Sequence, residues 1–500
     1  MPDTYKNYIN GRWVEARSGR VFENHNPANG DLLGLFPDSG PEDVNDAVAA
    51  ARAAFATWRI YPAPKRGEIL FRFGQLLAAR KDEIARLMTM EMGKVLKEAG
   101  GDVQEGIDMA FYMGGEGRRL FGFVTPVELP NKSGMAVRDP IGVVGVITPW
   151  NFPIAIPSWK ILAALICGNT IVFKPAKDTP LCATKFVELL TEAGIPAGVV
   201  NLVHGSGPNV GMPIVQHPDV DVITFTGSNE TGREVNVEAA KRIKRVSLEL
   251  GGKNAIMVMD DADLDLAVDG IIWSAFGTSG QRCTAASRVI AHKAIRRDLE
   301  ERLIARIETL RLGDGLLPTT DIGPVINEAA LTRIDGYTSI ALEEGASVLI
   351  GGKIAREGEL AKGSFYRPTL YGNVRPEMRV AQEEIFGPCT SVIEVSSLEE
   401  AIQVNNGVTY GLSSSLYTQD INRVQRAMRD VTTGILYINA GTIGAEIQLP
   451  FGGTRGTGNG HREAGLGALD TFTEWKSIYI DYSGKLQRAQ IDSNEIGFLS

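Results

Sequence analysis

Cys283 stands in the stretch FGTSGQRCTAAS (276–287), after two glycines and directly after Arg282, in a chain with only four cysteines. A thiol attacks as its thiolate, and a cationic neighbour or a helix N-terminus lowers its pKa from about 8.5. A Gly-rich turn beside an arginine is therefore a place to expect a nucleophilic cysteine. The alternative is a buried structural cysteine, since a free thiol often acts as a small hydrophobe, and this stretch alone leaves both readings open. None of the five histidines (His25, His204, His217, His292, His461) lies near Cys283 in sequence, so a base serving it is expected to be a carboxylate. Two further segments, HGSGPNVG (204–211) and FTGSNETG (225–232), each follow an apolar run and precede a helical pattern. Free backbone N–H groups at such a position attract phosphate. Neither is the full G-x-G-x-x-G fingerprint in its usual first turn, and a plain turn would read the same way.

The elements that must position these residues show in the periodicity. PEDVNDAVAAARAAFATW and APKRGEILFRFGQLLAARKDEIARLM place apolar residues at three- and four-residue spacing, which predicts amphipathic helices. From Ile141 the pattern changes to short β-branched runs alternating with amphipathic segments: IGVVGVITPW, a helix over 158–167, NTIVFKPA, a helix over 179–193, GVVNLVHG, a helix around 209–216, and DVITFTGS. This rhythm means βαβ units and a parallel sheet covered on both faces. After RVSLELGGKNAIMVM a second α/β set runs to about Asn439. NKSGMAVRD and TFTEWKSIYIDYSG fit neither rhythm and read as strand ribbons outside the two cores.

Composition bounds the function. The 500 residues are 44% hydrophobic and 22% charged, which excludes a disordered or fibrous chain. The net charge of -9 comes without a basic run, so no nucleic-acid footprint is expected. Cys167, Cys182, Cys283 and Cys389 are far apart, with no C-x-x-C pair or Cys/His ligand spacing, so neither a disulfide framework nor a metal site is expected. The N-terminal segment has no basic stretch leading into an apolar one, and no run of about 18 apolar residues occurs anywhere. The expectation is a cytoplasmic protein without a membrane partner.

Taken together and in order, ITPWNFPIAIPSWK, GNTIVFKPA, FTGSNETG, LELGGKN, GQRC, EEIFGP and LPFGGTRGTGNGHREAG resemble the aldehyde dehydrogenase superfamily, from YINGRWVEA to TFTEWKSIYI. The resemblance implies an α/β fold: a Rossmann-like cofactor domain (1–121 and 141–251), an α/β catalytic domain (252–440) and a small β oligomerisation arm (122–140 and 470–490), with 491–500 as a C-terminal tail. It implies Cys283 as nucleophile, Asn151 with the Cys283 backbone N–H as oxyanion donors, and Glu249 as the base that activates water. CoA-dependent acylating relatives generally lack that glutamate, and a non-catalytic homologue would lose Cys283 or Asn151; these remain the alternative readings. The cofactor, NAD or NADP, would meet Lys174 at the adenosine ribose, Gly227 and Ser228 at the pyrophosphate, and Glu384, Phe386 and Trp150 around the nicotinamide. Where many NAD-using members carry glutamate, this chain has Lys177, which cannot accept ribose hydroxyls and would attract a 2'-phosphate. Thr278 replaces a usual asparagine, with no functional consequence evident from sequence. Arg282, Glu105 and the small residues Gly444 and Ala445 look like the branch acting on aminoadipate semialdehyde, which points to a carboxylated aldehyde. A homodimer or homotetramer is expected from the arm.

Overall fold

The computed structural model describes residues 3–492, and the expected tail (491–500) lies almost wholly outside them. The first seven-stranded sheet runs, in spatial order, Arg245–Glu249, Val222–Thr226, Val143–Ile147, Thr170–Lys174, Val200–Leu202, Asn7–Ile9 and Arg12–Val14. Its first five strands are parallel. The last two are antiparallel and come from the N-terminal segment, which the sequence reading did not place in the sheet.

The parallel strands are fully buried β-branched runs; VVGVI at Val143–Ile147 has no exposed residue. Such a strand needs helices on both faces; Ala155–Cys167 and Pro180–Glu192 lie close to the expected spans 158–167 and 179–193, Met212–Gln216 covers part of the span expected around 209–216, and Asn229–Ala240 adds a helix for which no span was expected. Gly145 lets the short helix Met212–Gln216 approach closely, because a Cβ there would lie 2.5 Å from Ile214. The chain leaves Val143–Ile147 in one direction through the sheet and later returns to add Val222–Thr226 on its other side. That is a topological switch point, where a crevice opens beyond the carboxyl ends of the strands. Trp150 and Asn151 follow the first of these strands, and Gly227 and Ser228 follow the second.

A second seven-stranded sheet is ordered Ser347–Ile350, Thr369–Gly372, Cys389–Val395, Ala286–His292, Asn254–Val258, Ser413–Tyr417 and Ile435–Ile438. It is parallel except for the first pair. The two ribbons that fitted neither rhythm pair with each other: Lys132–Pro140 lies antiparallel to Thr473–Asp481 in unbroken register from Lys132↔Asp481 to Pro140↔Thr473. Phe123, Trp475, Tyr479 and Tyr482 stand exposed on or beside this ribbon. No helix among the described residues is long and apolar enough to cross a membrane.

Candidate active site

Cys283 sits just after the helix Leu264–Phe276, on a turn that ordinary side chains avoid. Thr278 (φ 53°), Ser279 (φ 55°) and Gly280 (φ 68°) are consecutive left-handed residues. For the two that are not glycine this costs on the order of 1–2 kcal/mol each, so the surroundings must impose it. The Glu98 carboxylate, from the helix Leu96–Glu116, accepts the Thr278 N–H at 2.9 and 3.0 Å. Ser279 donates to the Gly323 carbonyl at 2.7 Å. Gly280 has no alternative, since a Cβ would lie 2.0 Å from the Gly387 carbonyl oxygen. The Gln281 side chain, wholly buried, donates to Thr278 O and accepts from Ile326 N–H. Asn254 donates to the carbonyls of Cys283 (2.7 Å) and Ala285 (3.0 Å) and fixes the peptide around the thiol.

The turn also gives Thr278 a role that sequence did not supply. Its hydroxyl accepts from Arg282 Nε at 2.9 Å and faces Glu98 Oε2 at 3.3 Å, while Arg282 Nη2 reaches Glu98 Oε1 at 3.3 Å. The guanidinium is held between the rings of Phe152 and Trp273. Arg282 therefore turns away from the thiol it precedes. The expectation of an arginine-activated cysteine is corrected: burial, then Glu249 and Glu384, push the Cys283 thiol up to about 12.

A cavity of about 320 Å³ holds Cys283 together with Glu249, Arg282, Glu105, Gly444 and Ala445. Lys97 and Trp273, both exposed, also line it, which places them on its solvent side. Glu249 ends a strand of the first sheet and is buried, and neither carboxylate oxygen has a hydrogen-bond partner. Burial, then Glu463, raise its pKa well above the carboxylate range. Glu463 is itself paired with buried Lys160. Asn151, also buried, donates to the Gln281 carbonyl at 3.0 Å, which ties the loop after Val143–Ile147 to the cysteine turn. Glu98 is the residue that sequence reading missed; its only sequence signal is a carboxylate two turns before Glu105 on the same helix face.

Of the cofactor candidates, Trp150, Lys174, Gly227 and Ser228 lie at or just beyond the carboxyl ends of strands around the switch point. Lys174 is buried at a strand end and packs near Gly211; burial lowers its pKa to about 8. Ser228 caps Asn229–Ala240 by accepting the Thr231 N–H, and Gly227 precedes it. Trp150 and Phe386 meet edge to face at 5.5 Å. Phe386 is left-handed (φ 55°), and Glu384 accepts from Gly252 N–H at 3.0 Å. Lys177 lies with its ammonium 4.3 Å from the centre of the Phe22 ring. Among the described residues no cluster of His, Cys, Asp and Glu could hold a metal ion, and all four cysteines are free.

Residues 13–478 match the family model described as Aldehyde dehydrogenase family. Alpha-ketoglutaric semialdehyde dehydrogenase of Bacillus subtilis is 42% identical over 479 residues, covering 96% of this chain and 98% of that protein. Malonate-semialdehyde dehydrogenase 1 of Geobacillus thermodenitrificans is 41% identical, covering 95% and 98%. Among solved structures, betaine aldehyde dehydrogenase from Staphylococcus aureus in complex with NAD+ superposes with a TM-score of 0.94 at 34% identity, covering 96% of each chain. An NADP-dependent enzyme from E. coli gives 0.93 at 38% identity, covering 96% and 98%.

Proposed function

Because the chain belongs to the aldehyde dehydrogenase family and oxidises aldehydes with a nicotinamide dinucleotide, we propose that its substrate is a short semialdehyde bearing a carboxylate, released as the free diacid. The observation that carries this is the cavity itself. Its volume of about 320 Å³ suits a molecule of a few carbons, Cys283 and Glu249 lie on its wall, and Arg282 and Lys97 supply the cations for a distal carboxylate. The names of the relatives, α-ketoglutarate and malonate semialdehyde dehydrogenases, agree in substrate class.

Cys283 Sγ adds to the aldehyde carbon, and the carbonyl electron pair moves to oxygen, where the Asn151 amide and the Cys283 N–H stabilise it. A second N–H of the Asn151 amide remains for this after its bond to Gln281. When bound, the oxidised nicotinamide supplies the hydride acceptor and a positive charge that favours the thiolate. In its ionised form, which its raised pKa makes the more basic, Glu249 then takes a proton from water, the hydroxide oxygen adds to the acyl carbon of the Cys283 thioester, and the C–S bond breaks to restore the thiolate. The unpartnered Glu249 oxygens suit this task, because no hydrogen bond must be broken before a water is engaged.

The dinucleotide fits the crevice on two counts: the helix start at Ser228 presents free backbone N–H groups for a pyrophosphate, and Trp150 and Phe386 offer flat apolar walls for the nicotinamide. Lys174 would bond the adenosine ribose and Glu384 the nicotinamide ribose. Lys177 supports use of NADP beside NAD. Residues 1–121 and 141–251 would carry the cofactor and 252–440 the nucleophile. The ribbon within 122–140 and 470–490 would pair two copies, since its exposed aromatics need cover. Four free cysteines suit a reducing, cytoplasmic setting.

The test is a panel of glutarate semialdehyde, malonate semialdehyde and pentanal with either cofactor, with and without CoA. The proposal expects kcat/KM at least tenfold higher for the carboxylated aldehydes, lost in Arg282→Gln and Lys97→Ala, with no need for CoA. Equal use of pentanal, or activity strictly dependent on CoA, would overturn it.

A further inference from the structure

The helix Leu96–Glu116 presents Glu98, Asp102 and Glu105 to the substrate cavity, and these three acids are not equivalent. Glu98 is engaged by Thr278 and Arg282. Asp102 is engaged by Lys94 at 2.9 Å and by the Ala155 N–H at 2.7 Å. Glu105, about one turn further on, makes no hydrogen bond among the described residues and has only electrostatic neighbours: Asp102, Lys94, Arg282 and Asp108. Tyr437, on the edge strand Ile435–Ile438, faces it together with Cys283 and Glu446. Glu249 and Glu463 complete the acids of the cavity wall.

Glu105 stands half-buried on a wall of five acids, and burial with Asp102 beside it pushes its pKa up to about 8, which favours the neutral acid near pH 7. The neutral acid has one O–H to donate. With no hydrogen bond to an acceptor among the described residues, that donor is left for one on the ligand. A bare methylene chain that displaces water from this half-buried carboxyl would leave the donor unsatisfied, which is costly. We infer that Glu105 selects semialdehydes carrying an oxygen acceptor between carboxylate and aldehyde, a 2-oxo group above all, by donating its acid hydrogen to that oxygen. The inference rests on the carboxylated-semialdehyde reading above. It also runs against the amino-group contact that the aminoadipate resemblance implied for Glu105: an ammonium would find no anion there until the carboxyl ionises.

The experiment compares kcat/KM for α-ketoglutarate semialdehyde and glutarate semialdehyde, which differ only by oxo against methylene, between pH 6.5 and about 9. Steps common to both aldehydes, including thiol ionisation, cancel in the ratio. The wild-type ratio is expected to fall about tenfold as pH rises through about 8 and the donor is lost. Glu105→Gln, whose amide still donates, keeps the ratio within about threefold and makes it independent of pH. Glu105→Ala loses the preference at every pH. A ratio that ignores both pH and Glu105→Ala, in an enzyme that still prefers either acid over pentanal, overturns this inference alone; indifference to the carboxylate overturns the reading beneath it.

Discussion

Replacing Glu98 with alanine tests whether the cysteine turn is held by a carboxylate 185 positions away in sequence. The side chain accepts the Thr278 N–H through both oxygens, faces the Thr278 hydroxyl and pairs with Arg282, whose own side chain is 11% exposed. Hydrogen bonds to a charged group contribute about 1.5–3 kcal/mol, and a buried cation left without its anion adds to the loss. Two left-handed residues, Thr278 and Ser279, also lose the contact that offsets their strain. Allowing for overlap between these effects, the local cost is about 3 kcal/mol, or roughly a hundredfold in the opening equilibrium of the turn. Hydrogen exchange read on the peptide covering 276–287 should therefore accelerate about a hundredfold in Glu98→Ala, while peptides from the ribbon stay unchanged. Turnover should fall by a comparable factor, since a shift near 1 Å in a reacting atom costs that much. Exchange within about threefold of wild type, with kcat preserved, would refute the account of what fixes Cys283.

Four other outcomes follow from the same geometry. Glu249→Gln should leave thioester formation visible as a burst of reduced cofactor but slow its hydrolysis about 10²–10⁴-fold; loss of the burst itself would move Glu249 to an earlier step. In the cofactor-free enzyme the thiol raised to about 12 should react with iodoacetamide more slowly than free cysteine at pH 8, the rate climbing with pH through 9 and 10. A plateau below pH 8 would contradict the burial argument. Lys177→Glu should lower kcat/KM for NADP relative to NAD at least tenfold, whereas a wild-type preference for NAD above about a hundredfold, about 2.7 kcal/mol, would remove any role for Lys177. Gly280→Ala must move the Gly387 carbonyl, 2.0 Å from the new Cβ, and should yield little folded enzyme; normal yield and turnover would show that the turn relaxes.

What could be read from the residues follows the range of the forces involved. Cys283, Glu249, Lys174 and Ser228 were assigned only through the ordered run of motifs that resembles the family, each local stretch alone leaving a structural reading open; what was legible locally is the strand or helix frame on which each of them sits. The side to which Arg282 turns was not, because it is decided by Glu98, far away in sequence, and adjacency to a cysteine says nothing about direction. The left-handed turn at Thr278 was hidden for the same reason: its propensity opposes it, and distant carboxylate and carbonyl groups impose it. The strand Asn7–Ile9, between Val200–Leu202 and the edge strand Arg12–Val14 of the first sheet, carried too few residues to show a period.

The register that joins Lys132 to Asp481 also sets a timetable. A ribosome adding roughly 5–20 residues per second leaves the first of these strands without its mate for roughly 20–70 s, displaying unpaired backbone and apolar side chains beside the first sheet. A nascent chain is thus exposed to wrong pairing with its neighbours on the polysome for that interval. Emergence of Thr473–Asp481, rather than folding of either sheet, then becomes the event that completes the ribbon.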